Sequence, residues 1–255
     1  ERELEWRKEM EAVDERHLQL LRSFVLGEMK LRSGQYALWP LYSFDTIPLE
    51  FVSSIYEAFV TRRKGTVYTP VHLVDFVLDG VLPWEGEEWD LKILDPACGS
   101  GIFLVRAFQR LAHRWKNAHP NTLLRTDVLK RLLTHNLVGV DIDPHAARVA
   151  SFSLYLAMCD ELDPRHYWQQ IRFPKLRGDR LIIADFFSEE TPGLRTEIDA
   201  ESYDLVVGNP PWAKNLVKAI YEEFDSNAAK EWSDKYNWPI SYGDPSTLFV
   251  AKALR

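Results

Sequence analysis

The chain is short of the residues that staple, ligate or span. Cysteine occurs twice in 255 residues, at Cys98 and Cys159. Two are too few for a disulfide framework and fit a reducing cytoplasm. No cluster of cysteine and histidine has metal-ligand spacing, so no metal is expected. No apolar run approaches the length of a membrane span, and no secretory signal opens the chain. Basic residues are in deficit as well, with 31 Lys and Arg against 38 Asp and Glu and a net charge of −7. That balance argues against a strong grip on nucleic acid by this stretch alone. A first residue of Glu1 leads us to expect a piece of something longer.

What is present is a core. The chain is 46% hydrophobic and 13% aromatic, enough for one large domain and an appendage. Its organising stretch runs from Lys92 to Leu104. Residues 91–94 are predicted to form a short buried strand, which Asp95 and Pro96 stop. Gly99, Ser100 and Gly101 then permit a sharp loop, and residues 102–115 place Phe103, Ala107 and Leu111 on one helical face. Strand, glycine loop and helix make the first unit of a doubly wound α/β domain, whose ligands sit at the carboxyl ends of the strands. The loop is not the G-x-G-x-x-G of dinucleotide enzymes and lacks the Lys-Ser/Thr of a P-loop. An acidic residue at the strand end suits a ligand with an ammonium group better than a pyrophosphate.

The rest of the chain follows in order. Residues 3–30 are predicted as one or two connector helices, with Met10, Val13, His17, Leu20, Leu21, Phe24 and Met29 near one face and His17 packed rather than catalytic. An aromatic loop over 34–44 leads to a helix capped by Asp45 or Thr46, with an apolar stripe of Ile47, Phe51, Ile55 and Phe59. Thr69 is a good N-cap and Pro70 a good first residue for a helix through Val81. An uncovered helix start of this kind is an anion site. After a polar bend and a helix over 127–133, residues 137–144 form the second strand and its end. There Asp141 can accept from ribose hydroxyls and Ile142 can lie on an adenine ring, while Asp143 caps the next helix. Residues 178–187 carry strand three and residues 203–212 strand four. The Asn209-Pro210-Pro211-Trp212 ending of strand four has its backbone fixed by two prolines. Residues 246–254 form a last helix.

Asp95-Pro96-Ala97-Cys98-Gly99-Ser100-Gly101 resembles the S-adenosylmethionine (SAM) loop of N6-adenine DNA methyltransferases. Asn209-Pro210-Pro211-Trp212 resembles the catalytic motif of amino methyltransferases. The order, with Tyr68-Thr69-Pro70 ahead of the loop, is similar to the gamma class. The resemblance covers the chain from about Pro48 onward. It implies a Rossmann-like α/β methyltransferase sheet, incomplete at its C-terminus, over residues 45–255, preceded by a helical connector over 1–44. It implies SAM as cofactor, held by Tyr68, Thr69, Pro70, Asp95, Pro96, Ala97, Cys98, Gly99, Gly101, Asp141, Ile142, Asp185 and Phe186. Of these, Asp185 would take the cofactor's exocyclic amine and Phe186 would stack on its ring. Asn209 and Pro210 would accept from both N6 hydrogens of a flipped adenine, with Trp212 as its stacking surface. Double-stranded DNA is the implied partner, met through a recognition domain this sequence does not show, along with a fused or associated nuclease. The same motif serves enzymes acting on a glutamine amide of release factors or on guanine N2 of ribosomal RNA. A non-catalytic SAM-binding scaffold is a further alternative. Cytosine-N4 enzymes usually carry Ser in place of Asn209.

Overall fold

The computed structural model describes residues 11, 13–30, 32, 34–36, 69–162, 172–189, 194, 202–211, 227–239 and 246–255. The chain divides into two compact units, Glu1–Pro48 and Leu49–Arg255. In the first unit the described helix is α1, Glu15–Val25. Its start is capped by Asp14, whose Oδ1 accepts from the backbone N–H groups of Arg16 (2.9 Å) and His17 (3.2 Å). His17 is exposed and turned to this cap, accepting from the Asp14 N–H at 3.1 Å, so the expected packed position is corrected. A polar cap competes well for an imidazole when the neighbouring apolar side chains, Leu18, Leu20 and Leu21, are themselves more than half exposed. The aromatic loop beyond Tyr36, the helix expected from residue 47, Tyr68 and Trp212 lie outside the described residues.

The second unit is an α/β sandwich. Its described elements are α2 (Val71–Val81), β1 (Ile93–Asp95), α3 (Ile102–Ala118), α4 (Thr126–Arg131), β2 (Leu137–Asp141), α5 (Pro144–Asp160), β3 (Leu181–Ile183), β4 (Leu205–Val206), α6 (Ala228–Tyr236) and α7 (Ser246–Ala253). The strands lie parallel in the order β3-β2-β1-β4. Strands that alternate period two and are covered on both sides feed two cores. Ile93, Leu137, Leu181 and Val207 join Leu78 of α2 and the apolar faces of α3 and α5 on one side. Leu94, Val138, Val140 and Ile182 meet Phe186, Phe187, Trp232 and Phe249 on the other. Helix α6 falls in a stretch that the sequence left as mixed charge and aromatics. It forms because Ala229 and Trp232, three residues apart, are buried on one face.

The chain runs from β1 outward to β3, then returns past β1 to place β4 on its other side. Strand order therefore reverses between β1 and β4, which opens a crevice at their carboxyl ends.

Candidate active site

Each wall of that crevice is built by a different element. Beyond β1, Gly99 and Gly101 take left-handed backbone, with φ of 52° and 86°. At Gly101 a side chain would also strike α5, its Cβ falling 2.9 Å from the Cβ of Ala150. The glycine thus lets α3 start hard against α5. The loop is tied to β2 at two points: the Cys98 N–H donates to the Val140 carbonyl (2.8 Å) and the Gly99 N–H to Asp141 Oδ2 (2.8 Å).

Asp95 is 1% exposed, and its Oδ1 accepts from the Ala97 N–H at 3.1 Å. Burial raises its carboxyl to about 8; the Ala97 bond opposes this, and the Asp141 charge adds to it. Asp141 is half-buried, with Oδ1 accepting from the Asp143 N–H at 2.8 Å. Burial raises it to about 6, against the N–H groups of Asp143 and Gly99. Each Asp141 oxygen holds one backbone bond and keeps a second lone pair for a ligand hydroxyl. No cationic side chain among the described residues offsets the burial of Asp95. A buried carboxylate of this kind favours a ligand that brings positive charge. Asp143 caps α5 as expected, accepting from the His145 N–H at 2.8 Å.

At the end of β4 the backbone passes close beneath Asp95. A Cβ at Gly208 would lie 2.4 Å from Asp95 Oδ1, so only glycine fits. Asn209, Pro210 and Pro211 follow, all half-buried at the crevice. Asn209 Nδ2 donates to Thr69 Oγ1 at 3.0 Å, joining β4 to the start of α2.

Three expectations need correction. Thr69 is not the helix cap: Pro70 holds that position, with no side-chain cap bond, its carbonyl accepting from Leu73 and Val74. Proline's fixed φ suits the first turn, and its extended ψ of 140° leaves it just outside the helix. Cys98 turns its thiol into the core, where it is 4% exposed, and burial first, then the charges of Asp141 and Asp95, push it well above the usual thiol range. It is a neutral packing residue that offers the crevice only its backbone. Phe186 is also buried, stacked on Phe249 at 5.5 Å and 6°, so its ring has a core partner where a cofactor adenine was expected. The second core draws it in because Phe187, Trp232 and Phe249 supply more apolar surface than a strand tip can. Asp185 is half-buried beside it, accepting from the Phe187 N–H at 2.9 Å.

Sequence reasoning missed the ladder that holds α2 in place. Arg106, Arg110 and Arg114 recur every four residues along one face of α3. Arg106 forks onto both oxygens of Asp75, at 2.9 and 2.8 Å. Arg110, fully buried, reaches the Leu82 carbonyl (3.0 Å), Asp75 (3.1 Å) and Asp79 (2.7 Å), with Trp84 4.9 Å beneath it. Arg114 holds the Pro83 and Glu88 carbonyls. Their four-residue spacing was the available signal.

A parallel sheet with this strand reversal and a glycine loop after β1 defines a Rossmann-like α/β domain. Residues 135–255 match the family described as Eco57I restriction-modification methylase. It is 31% identical over 208 residues to the adenine-specific methyltransferase PglX of Streptomyces coelicolor, covering 68% of this chain and 17% of that protein. It is 21% identical over 267 residues to the type II restriction enzyme and methyltransferase RM.Eco57I of Escherichia coli, covering 84% of this chain and 26% of that one. To the adenine-specific methyltransferase BrxX of Escherichia coli O9:H4 it is 30% identical over 113 residues, 44% of this chain and 9% of BrxX. The chain thus spans about a sixth to a quarter of the first two. Among the described residues no helix is long and apolar enough to cross a membrane, and no side-chain cluster suits a metal.

Proposed function

We propose that this domain transfers a methyl group from SAM to the N6 amine of adenine in DNA. The setting would be a cytoplasmic restriction-modification or phage-defence protein like those it resembles. The observation that carries the reading is the close approach of the two strand ends across the reversal, with Gly208 against the buried Asp95 carboxylate and the next residue, Asn209, bonded through its amide to Thr69. The residues fit SAM by charge: Asp95 and the 97–101 loop for the methionine end, Asp141 for the ribose, Ile142 and Asp185 for the base. The backbone N–H groups at the start of α2 suit its carboxylate. When bound, SAM supplies an electrophilic methyl on a sulfonium.

The protein's own work is alignment. Adenine N6 is a poor nucleophile because its lone pair is delocalised into the ring. Asn209 Oδ1 and the Pro210 carbonyl, fixed by successive prolines, would accept both N6 hydrogens and draw the nitrogen toward tetrahedral geometry. The lone pair then faces the methyl group, and no covalent enzyme intermediate is required. DNA would be brought by a recognition element outside this stretch, with a nuclease fused or associated.

Asn209→Ala in the full-length protein should leave SAM affinity nearly intact and cut adenine methylation about a hundredfold or more. Methylation at the wild-type rate would contradict the mechanism. Label on release factor or ribosomal RNA, with none on DNA, would move the protein to those enzymes.

A further inference from the structure

Thr69 and Asn209 are 140 residues apart, yet the Asn209 amide donates to the Thr69 hydroxyl oxygen at 3.0 Å. The Thr69 side chain makes no cap bond, because Pro70 holds the cap of α2. Its position is also not left to a loose loop. Asp75, one turn into α2, is forked by Arg106 and touched by Arg110 from α3, and Val74 and Leu78 of α2 are fully buried. The hydroxyl is therefore presented to Asn209 from an anchored helix.

A side-chain amide has an acceptor end and a donor end. Its two orientations occupy the same space and differ chemically. An amine such as adenine N6 offers hydrogens, so only the oxygen end attracts it; the NH2 end would set donor against donor. Holding Nδ2 on Thr69 places Oδ1 on the opposite side of the amide carbon. Deepening the proposed function, on which this rests, we propose that Thr69 is a positioning residue that fixes the Asn209 amide with its oxygen toward the substrate amine. This role is distinct from the cofactor-binding one expected of Thr69 by resemblance.

Thr69→Val keeps the shape and removes the acceptor, and Thr69→Ser keeps the hydroxyl. In the full-length protein, single-turnover methylation of adenine in DNA is measured beside SAM binding by calorimetry. Thr69→Val should slow transfer about tenfold or more, the scale of a misaligned reacting group. SAM dissociation should stay within about twofold of wild type, which also reports an intact fold. Thr69→Ser should recover most of the rate, and Thr69→Val should add little to the loss already caused by Asn209→Ala. Weaker SAM binding with an unchanged transfer rate would overturn the proposal and return Thr69 to the cofactor. An unchanged rate in Thr69→Val, or an equal loss in Thr69→Ser, would overturn it too. If wild type labels a different planar nitrogen, the adenine reading fails, and the same Val and Ser comparison on that substrate decides Thr69. No transfer by wild type to any of them overturns both.

Discussion

Gly208→Ala tests whether β4 and the β1 carboxylate are packed as closely as the site requires. The backbone conformation at Gly208 is not left-handed, so alanine is excluded by space alone. Its Cβ would stand 2.4 Å from Asp95 Oδ1, 3.1 Å from Asp95 Cγ and 3.4 Å from Pro96 Cδ. Relief needs a shift of about 1 Å, since non-bonded heavy atoms settle near 3.5 Å. Asp95 has nowhere to go: it is 1% exposed, and its Oδ1 is held by the Ala97 N–H. Overpacking of this kind costs about 1–3 kcal/mol. At about 2–4 °C per kcal/mol for a domain of this size, the Tm should fall visibly in a thermal scan. The move also displaces the carboxylate meant for the ligand, so calorimetry should show SAM binding weakened. Gly80→Ala is the control: it lies inside α2 with nothing within 4 Å of its Cβ, and should stabilise by about 0.5–1 kcal/mol. A Gly208→Ala protein with wild-type Tm and SAM affinity would refute the packing argument.

With Asp95 raised to about 8, its proton must leave before it can pair with a cationic ligand. SAM affinity should therefore fall about tenfold from pH 7 to pH 6 and release a proton on binding, and Asp95→Asn should flatten that dependence; a pH-independent dissociation constant in wild type would remove Asp95 from the site. The folded carboxyl lies above its ordinary value of 3.8, so the unfolded chain loses this proton first, and the contribution of Asp95 to ligand-free stability falls as pH rises from about 4 to about 8. Arg110→Met should destabilise by about 3 kcal/mol, read as a lower denaturant midpoint at constant slope, because it leaves the Leu82 carbonyl and two carboxylates without their buried partner. A midpoint equal to wild type would show that the ladder is decorative.

Local chemistry made much of this protein legible in its sequence. The strand-glycine-helix order at 93–118 follows from backbone permissions and apolar period, as do the cap at Asp143 and the strand end at Asp141. These depend on neighbours a few residues away, so the chain states them directly. What tertiary structure decided are contacts between distant residues, where several partners compete for one group. The Thr69 hydroxyl had a cap to serve nearby, and Asn209 took it from 140 residues on. The Phe186 ring looked like a ligand surface, and the aromatic cluster around Phe249 claimed it because burial favours the larger apolar neighbourhood. Asp95 was recognisable as an acid at a strand end. Its rise to about 8 comes from the packing that closes over it, including the β4 backbone at Gly208, and no run of residues spells out that enclosure.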